Sequence, residues 1–353
     1  MASHVPFLAL RPDEQFSTQV AENDTSDTNR VSISTMANNL AQRLPSSLRF
    51  PIAVLVALSL SSLLYSLASG LTGHELAAVS RNLTSEWHIG AMLAWKLAEL
   101  YIAWYACYDY VDLAYLTLLN QVPHYFLLNT FFGIDLVAVL IPLAIDVTSV
   151  AIPFALLRGV NAGHADSTVK TPNQLIAQDL PVRLLTATFG ASVYALVMYL
   201  GFQTRLTLWM VTYFDGIRDL QRAHDTEVWA LLALFAPLGF AATQFIFVPA
   251  IGSPGNPGLD IVSPVPQRRF DPKTATLSET IARNLGRQEG FSRRTEILAK
   301  RTLTLAACCF VNTFVRSYVT IEGTELIGAL LYSGVWSTAA LASGLAFGYV
   351  SWE

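Results

Sequence analysis

The chain is expected to fold as an all-α, polytopic transmembrane helical bundle of about seven spans. Three observations predict this class. Of 353 residues, 53% are hydrophobic and only 14% are charged, against about a quarter charged in an ordinary soluble domain. The charges gather in the N-terminal tail and in a few connecting stretches. Between them run apolar segments of roughly 18 residues or more, enough to cross a hydrocarbon core of about 30 Å as helix.

Residues 1–46 are rich in Ser, Thr, Asn and Asp without a hydrophobic period, which predicts a disordered tail. The first long apolar run starts near Phe50, too late for a signal peptide. Asp13, Glu14, Glu22, Asp24 and Asp27 break the acid-poor rule of a mitochondrial presequence. A secretory-pathway or plasma membrane is therefore expected rather than a mitochondrial one.

The bundle is expected over 47–251 and 302–353, with spans at 50–70, 87–108, 123–158, 184–203, 227–251, 302–321 and 326–350. The third would reach roughly 50 Å as one helix, so it must tilt, protrude or break near Pro142 or Pro153. Within 205–224, Leu206, Met210, Tyr213, Ile217 and Leu220 fall at helical spacing opposite Asp215, Arg218, Asp219 and Arg222, which predicts an interfacial helix. Segment 252–301 opens with breakers from Gly252 to Gly258. Thr276 and Glu279 then form a capping box for a short amphipathic helix.

The same segment is basic, with Arg268, Arg269, Lys273, Arg283, Arg287, Arg293, Arg294, Lys300 and Arg301. The positive-inside rule places it in the cytosol. Seven spans then put the tail outside and the C-terminus inside. Two glycosylation sequons, at Asn23 and Asn82, flank the first span on opposite sides, so both cannot be modified. The expected partners are the lipid bilayer and, at 268–301, anionic lipid or a cytosolic protein. A net charge of −4 argues for no nucleic acid.

Ionisable residues inside apolar spans are costly and mark sites worth testing. Asp135 and Asp146 lie eleven residues apart, which puts both on one face of a continuous helix. Arg316 is the candidate counter-ion, with Asn312 one turn before it. Lys96 and Glu99 are three apart and are expected to pair. These six residues are the candidate intramembrane polar site. The aromatics of 87–126, among them Trp87, Trp95, Trp104 and Tyr125, fit a belt at the membrane interface. Gly344 and Gly348 form a GxxxG pattern that suits close helix packing within the monomer.

The histidines and the three cysteines, Cys107, Cys308 and Cys309, show no metal-binding spacing, so neither a metal nor a cofactor is expected. No catalytic motif is present. The leading expectation is a non-enzymatic membrane protein with a polar intramembrane site, transporter- or channel-like for a small polar solute or ion. The alternatives are a membrane scaffold or assembly protein acting through its basic loop, and a lipid-modifying enzyme built on residues 104–115.

Overall fold

A computed structural model describes residues 45–81, 86–158, 179–251 and 293–351. The tail up to residue 44, Asn23, Asn82, the breaker run and the capping-box helix lie outside the described residues. What is described is all-α, with no strand. Five helices are long and apolar enough to cross a membrane: α1 (Ser46–Ala77), α4 (Leu136–Leu157), α5 (Leu180–Gln203), α11 (Arg293–Thr320) and α12 (Leu326–Val350).

A bent run makes a sixth candidate: α8 (Val228–Leu234), α9 (Ala236–Ala242), a π-helical turn (Thr243–Phe247) and α10 (Val248–Ile251), with a 55° bend. The bend falls where Pro237 enters α9, because proline cannot bond back to the preceding turn. This is a multi-pass membrane protein. Among the described residues the long apolar helices number five to six, where about seven spans were expected. The second expected span is α2 (Glu86–Tyr105), whose hydropathy is lowered by Lys96 and Glu99.

The third expected span is two helices. α3 (Tyr110–Thr130) ends at a turn over 131–135, and α4 returns beside it. The break is therefore not at Pro142 or Pro153, both of which lie inside α4. Gly133 supplies the reversal with φ +65°, a conformation an L side chain rarely adopts. Asn129 Nδ2 donates to the Ile134 carbonyl at 2.8 Å, and the Arg218 amide donates to the Phe131 carbonyl at 3.0 Å. Turn geometry, with bonds to satisfy its backbone, outweighed proline. In a membrane, neighbouring helices let a proline stay inside a span.

α3 is the central helix. It is buried over most of its length despite carrying Asp112, Thr117, Asn120, Gln121 and His124. Its hydropathy is low because its partners are polar groups of other helices and not lipid. By contrast α1 leans on α4 and exposes Leu55, Leu63, Leu67 and Leu71. On the other side of α3, Phe126, Phe202, Phe235 and Trp336 interlock as an aromatic core.

The expected interfacial helix over 205–224 is interrupted. α6 (Leu206–Tyr213) and α7 (Gln221–His224) are separated by Gly216 at φ +76°. The Asp215 amide donates to the Gly323 carbonyl, and Glu325 donates to the Tyr213 carbonyl, so this segment is fastened to the α11–α12 turn. α11 also begins at Arg293, inside the stretch expected to be loop.

Contacts order the two ends of the bundle. Phe50 meets Tyr101 and Trp104, Arg158 covers Trp104, Arg301 reaches Asp112 and Phe245, and Phe347 meets Phe189 and Phe247. The described flanks of the N-terminal tail, of 159–178 and of 252–292, and the end of α12, thus share one end. The opposite end gathers Glu75, Arg81, Asp135, Asp215 and Glu322, tied by the bridges Ser80–Ile321 and Phe214–Thr324. The seven-span arrangement put the tail and the basic segment on opposite sides, whereas their described flanks lie at one end of the bundle. Dividing 123–158 into two helices changes the parity.

Two glycines allow helices to approach closely. A side chain at Gly239 on α9 would collide with the backbone of Ala187 and Ala191 on α5. One at Gly344 would collide with Thr302 of α11. The GxxxG pattern therefore packs inside the monomer.

Candidate functional site

The sequence places Asp146 midway along α4 and Arg316 near the end of α11, and the fold brings them together. Arg316 Nη2 lies 2.9 Å from Asp146 Oδ2. Tyr125 Oη of α3 donates to the same oxygen at 2.8 Å, and Tyr65 Oη of α1 donates to Oδ1 at 3.0 Å. Arg316 Nη1 donates to Tyr125 Oη at 3.2 Å, with its guanidinium over the Tyr125 ring. Four helices thus converge on one carboxylate, which is 3% exposed. Charge-assisted bonds of this kind are shorter and stronger than neutral ones, and they offset part of the cost of burying the pair.

A second polar layer lies beside it. Lys96 Nζ is 3.3 Å from Glu99 Oε2, and Asn120 Nδ2 donates to Glu99 Oε1 at 3.2 Å. Asn312 donates to the Asn120 carbonyl at 2.7 Å and to Gln121 Oε1 at 3.2 Å, while Trp95 Nε1 donates to Asn312 Oδ1 at 2.9 Å.

Both layers border one cavity of about 390 Å³. α1 and α2 touch around Phe50 and diverge from there, and the cavity fills the space between them in front of α3, α4 and α11. Lys96, Asp146, Arg316, Asn312, Trp95 and His124 are on its wall. His124 is 6% exposed, and its Nδ1 is buried with no hydrogen-bond partner. A buried polar atom without a partner costs about 1–3 kcal/mol, so it asks for a ligand or water.

Five of the six expected site residues belong to this arrangement: Asp146, Arg316, Asn312, Lys96 and Glu99. Asp135 does not. It is exposed at the N-cap of α4, where its Oδ2 accepts from the Val137 amide at 3.2 Å. It lines a separate polar depression with Glu75 and Arg218 at the acidic end. The shared-face argument assumed a helix continuous through 135, and the turn at 131–135 removes it.

Tyr65, Tyr125, His124, Asn120 and Gln121 were missed as site residues. Thr117, Asn120, Gln121 and His124 do carry a signal, a polar stripe at three- and four-residue steps on one helix. Hydropathy alone reads such a stripe as facing water rather than the bundle interior.

The acidic-aromatic stretch 104–115 is used differently. Asp109 caps α3 by accepting from the Asp112 amide at 2.8 Å. Asp112 receives both terminal nitrogens of Arg301, at 2.6 and 2.8 Å. Arg301 also donates to the Phe245 carbonyl at 2.8 Å, in the π-helical turn. Among the aromatics, Trp87, Tyr101 and Tyr105 face outward, as a belt requires, whereas Trp95 and Tyr125 face the cavity. No group of three or more metal-ligating side chains occurs among the described residues. No protein-family model, curated protein or solved structure matches this chain.

Proposed function

We propose that this membrane protein binds a small polar solute or ion in the cavity between α1 and α2, as a transporter- or channel-like protein does. The observation that carries the reading is a buried, four-helix ion-pair site that opens on a cavity instead of being packed over. Its size, about 390 Å³, falls within the roughly 300–1,000 Å³ usual for ligand sites. Intramembrane ionisable residues at such places mark substrate and ion paths. The excess of basic residues around 252–301 orients that end, with the tail, toward the cytosol.

In proteoliposomes, uptake from a panel of labelled small polar solutes and ions is expected for the wild type and lost in Asp146→Asn/Arg316→Gln. Water should reach the cavity, so a Ser61→Cys thiol should react with a water-soluble methanethiosulfonate. Normal uptake in the double variant refutes the reading. So does a Ser61→Cys thiol as inert as buried Cys308.

The scaffold alternative draws on one feature: both intramembrane acids are fully paired, as purely structural charges are. It predicts that the double variant fails to accumulate, rather than accumulating without activity.

A further inference from the structure

We propose that the cavity selects an oxyanion, a carboxylate or a phosphate, carried on an apolar body. This rests on reading the cavity as a solute site and names the chemistry it would accept. The argument is a comparison of donors and acceptors on the wall. Both oxygens of Asp146 already accept, from Tyr65 and from Tyr125 with Arg316. Gln121 Oε1 accepts from Asn312, and Asn312 Oδ1 accepts from Trp95. Every carboxylate and amide oxygen lining the cavity is thus engaged.

The cations are not used up in the same way. A guanidinium has five N–H donors and an ammonium three. Arg316 spends two on Asp146 and Tyr125, and Lys96 spends one on Glu99. The charged atoms are also unequally placed. Lys96 is 18% exposed against 1% for Glu99, and Arg316 is 16% exposed against 3% for Asp146. The carboxylates stand behind and the cationic groups in front, so the wall presents positive charge. His124, with Nδ1 unpartnered, adds another polar group to the lining.

A ligand there must bring acceptors and negative charge, which is the chemistry of an oxyanion. Leu58, Leu76, Val79, Met92, Leu128 and Val315 also line the cavity and suit an apolar body. Helices α1 and α2 form its two sides, and α1 is the least buried of the five long apolar helices described.

The test is equilibrium binding to the full-length protein in a neutral detergent. Radiolabelled stearate and phosphatidic acid are compared with their uncharged twins, stearyl alcohol and diacylglycerol, and inorganic phosphate serves as competitor. One of the anions should bind at one per protein and at least ten-fold tighter than its twin. Lys96→Gln/Glu99→Gln removes the front cation without stranding the buried acid, and should weaken anion binding about ten-fold while elution on size exclusion stays unchanged. Lys96→Arg should retain binding.

Displacement by inorganic phosphate alone assigns a free anion, and its failure to compete assigns an amphiphile. Equal binding of the uncharged twins, or undiminished anion binding by the Gln/Gln variant, overturns the oxyanion inference but leaves a solute cavity standing. Absence of binding by every probe, joined to an inert Ser61→Cys thiol, overturns both.

Discussion

Breaking the Asp146–Arg316 pair should cost far more than removing it whole. Asp146 is almost wholly buried and holds three donors, so Asp146→Asn keeps an acceptor oxygen for one phenol, turns an NH2 donor toward the other and strands the Arg316 charge. An uncompensated buried charge costs about 3–5 kcal/mol. Arg316→Gln strands the carboxylate instead, but two phenol donors remain to it, so about 3 kcal/mol is expected. With both replaced, neutral amides face each other and no bare charge is left. The double variant should then lose about 2–4 kcal/mol, well below the sum of the singles. The coupling energy, roughly 4 kcal/mol, is above the range of about 0.5–3 kcal/mol usual for residues in direct contact. Reversible unfolding of the four proteins by dodecyl sulfate titration in mixed micelles measures it. Single-variant losses that add in the double variant to within about 0.5 kcal/mol would refute the pairing.

Three other expectations follow from the fold. Gly239→Val should destabilise by more than about 1–3 kcal/mol, because the side chain meets α5 backbone that cannot move aside; an unchanged unfolding midpoint would show that α5 and α9 are not so close. Asp135→Ala should cost about 1 kcal/mol through loss of an N-cap and leave solute binding intact; lost binding would return Asp135 to the site. An N-terminal epitope and one inserted near residue 265 should show the same protease protection in sealed vesicles, whereas opposite protection would restore the seven-span arrangement.

The sequence by itself determined that this is a helical membrane protein, because long apolar runs have few other stable outcomes in lipid. It also singled out Asp146, Arg316, Lys96, Glu99 and Asn312, since intramembrane polar residues stand out against an apolar background. The Lys96–Glu99 contact was legible too, being local along one helix. Tertiary structure decided the rest. Whether 123–158 is one helix or two turned on the Asn129–Ile134 bond that closes the turn and on bonds that the Phe131 carbonyl accepts from Arg218 and Asp219, far outside the run. Asp135 and Asp146 look alike in sequence, yet one caps a helix and the other meets Arg316 from a helix about 170 positions away. Such long-range pairing leaves no local pattern. α3 was hidden for the same reason: its polar stripe is buried against other helices, and only their arrangement says that the stripe faces inward.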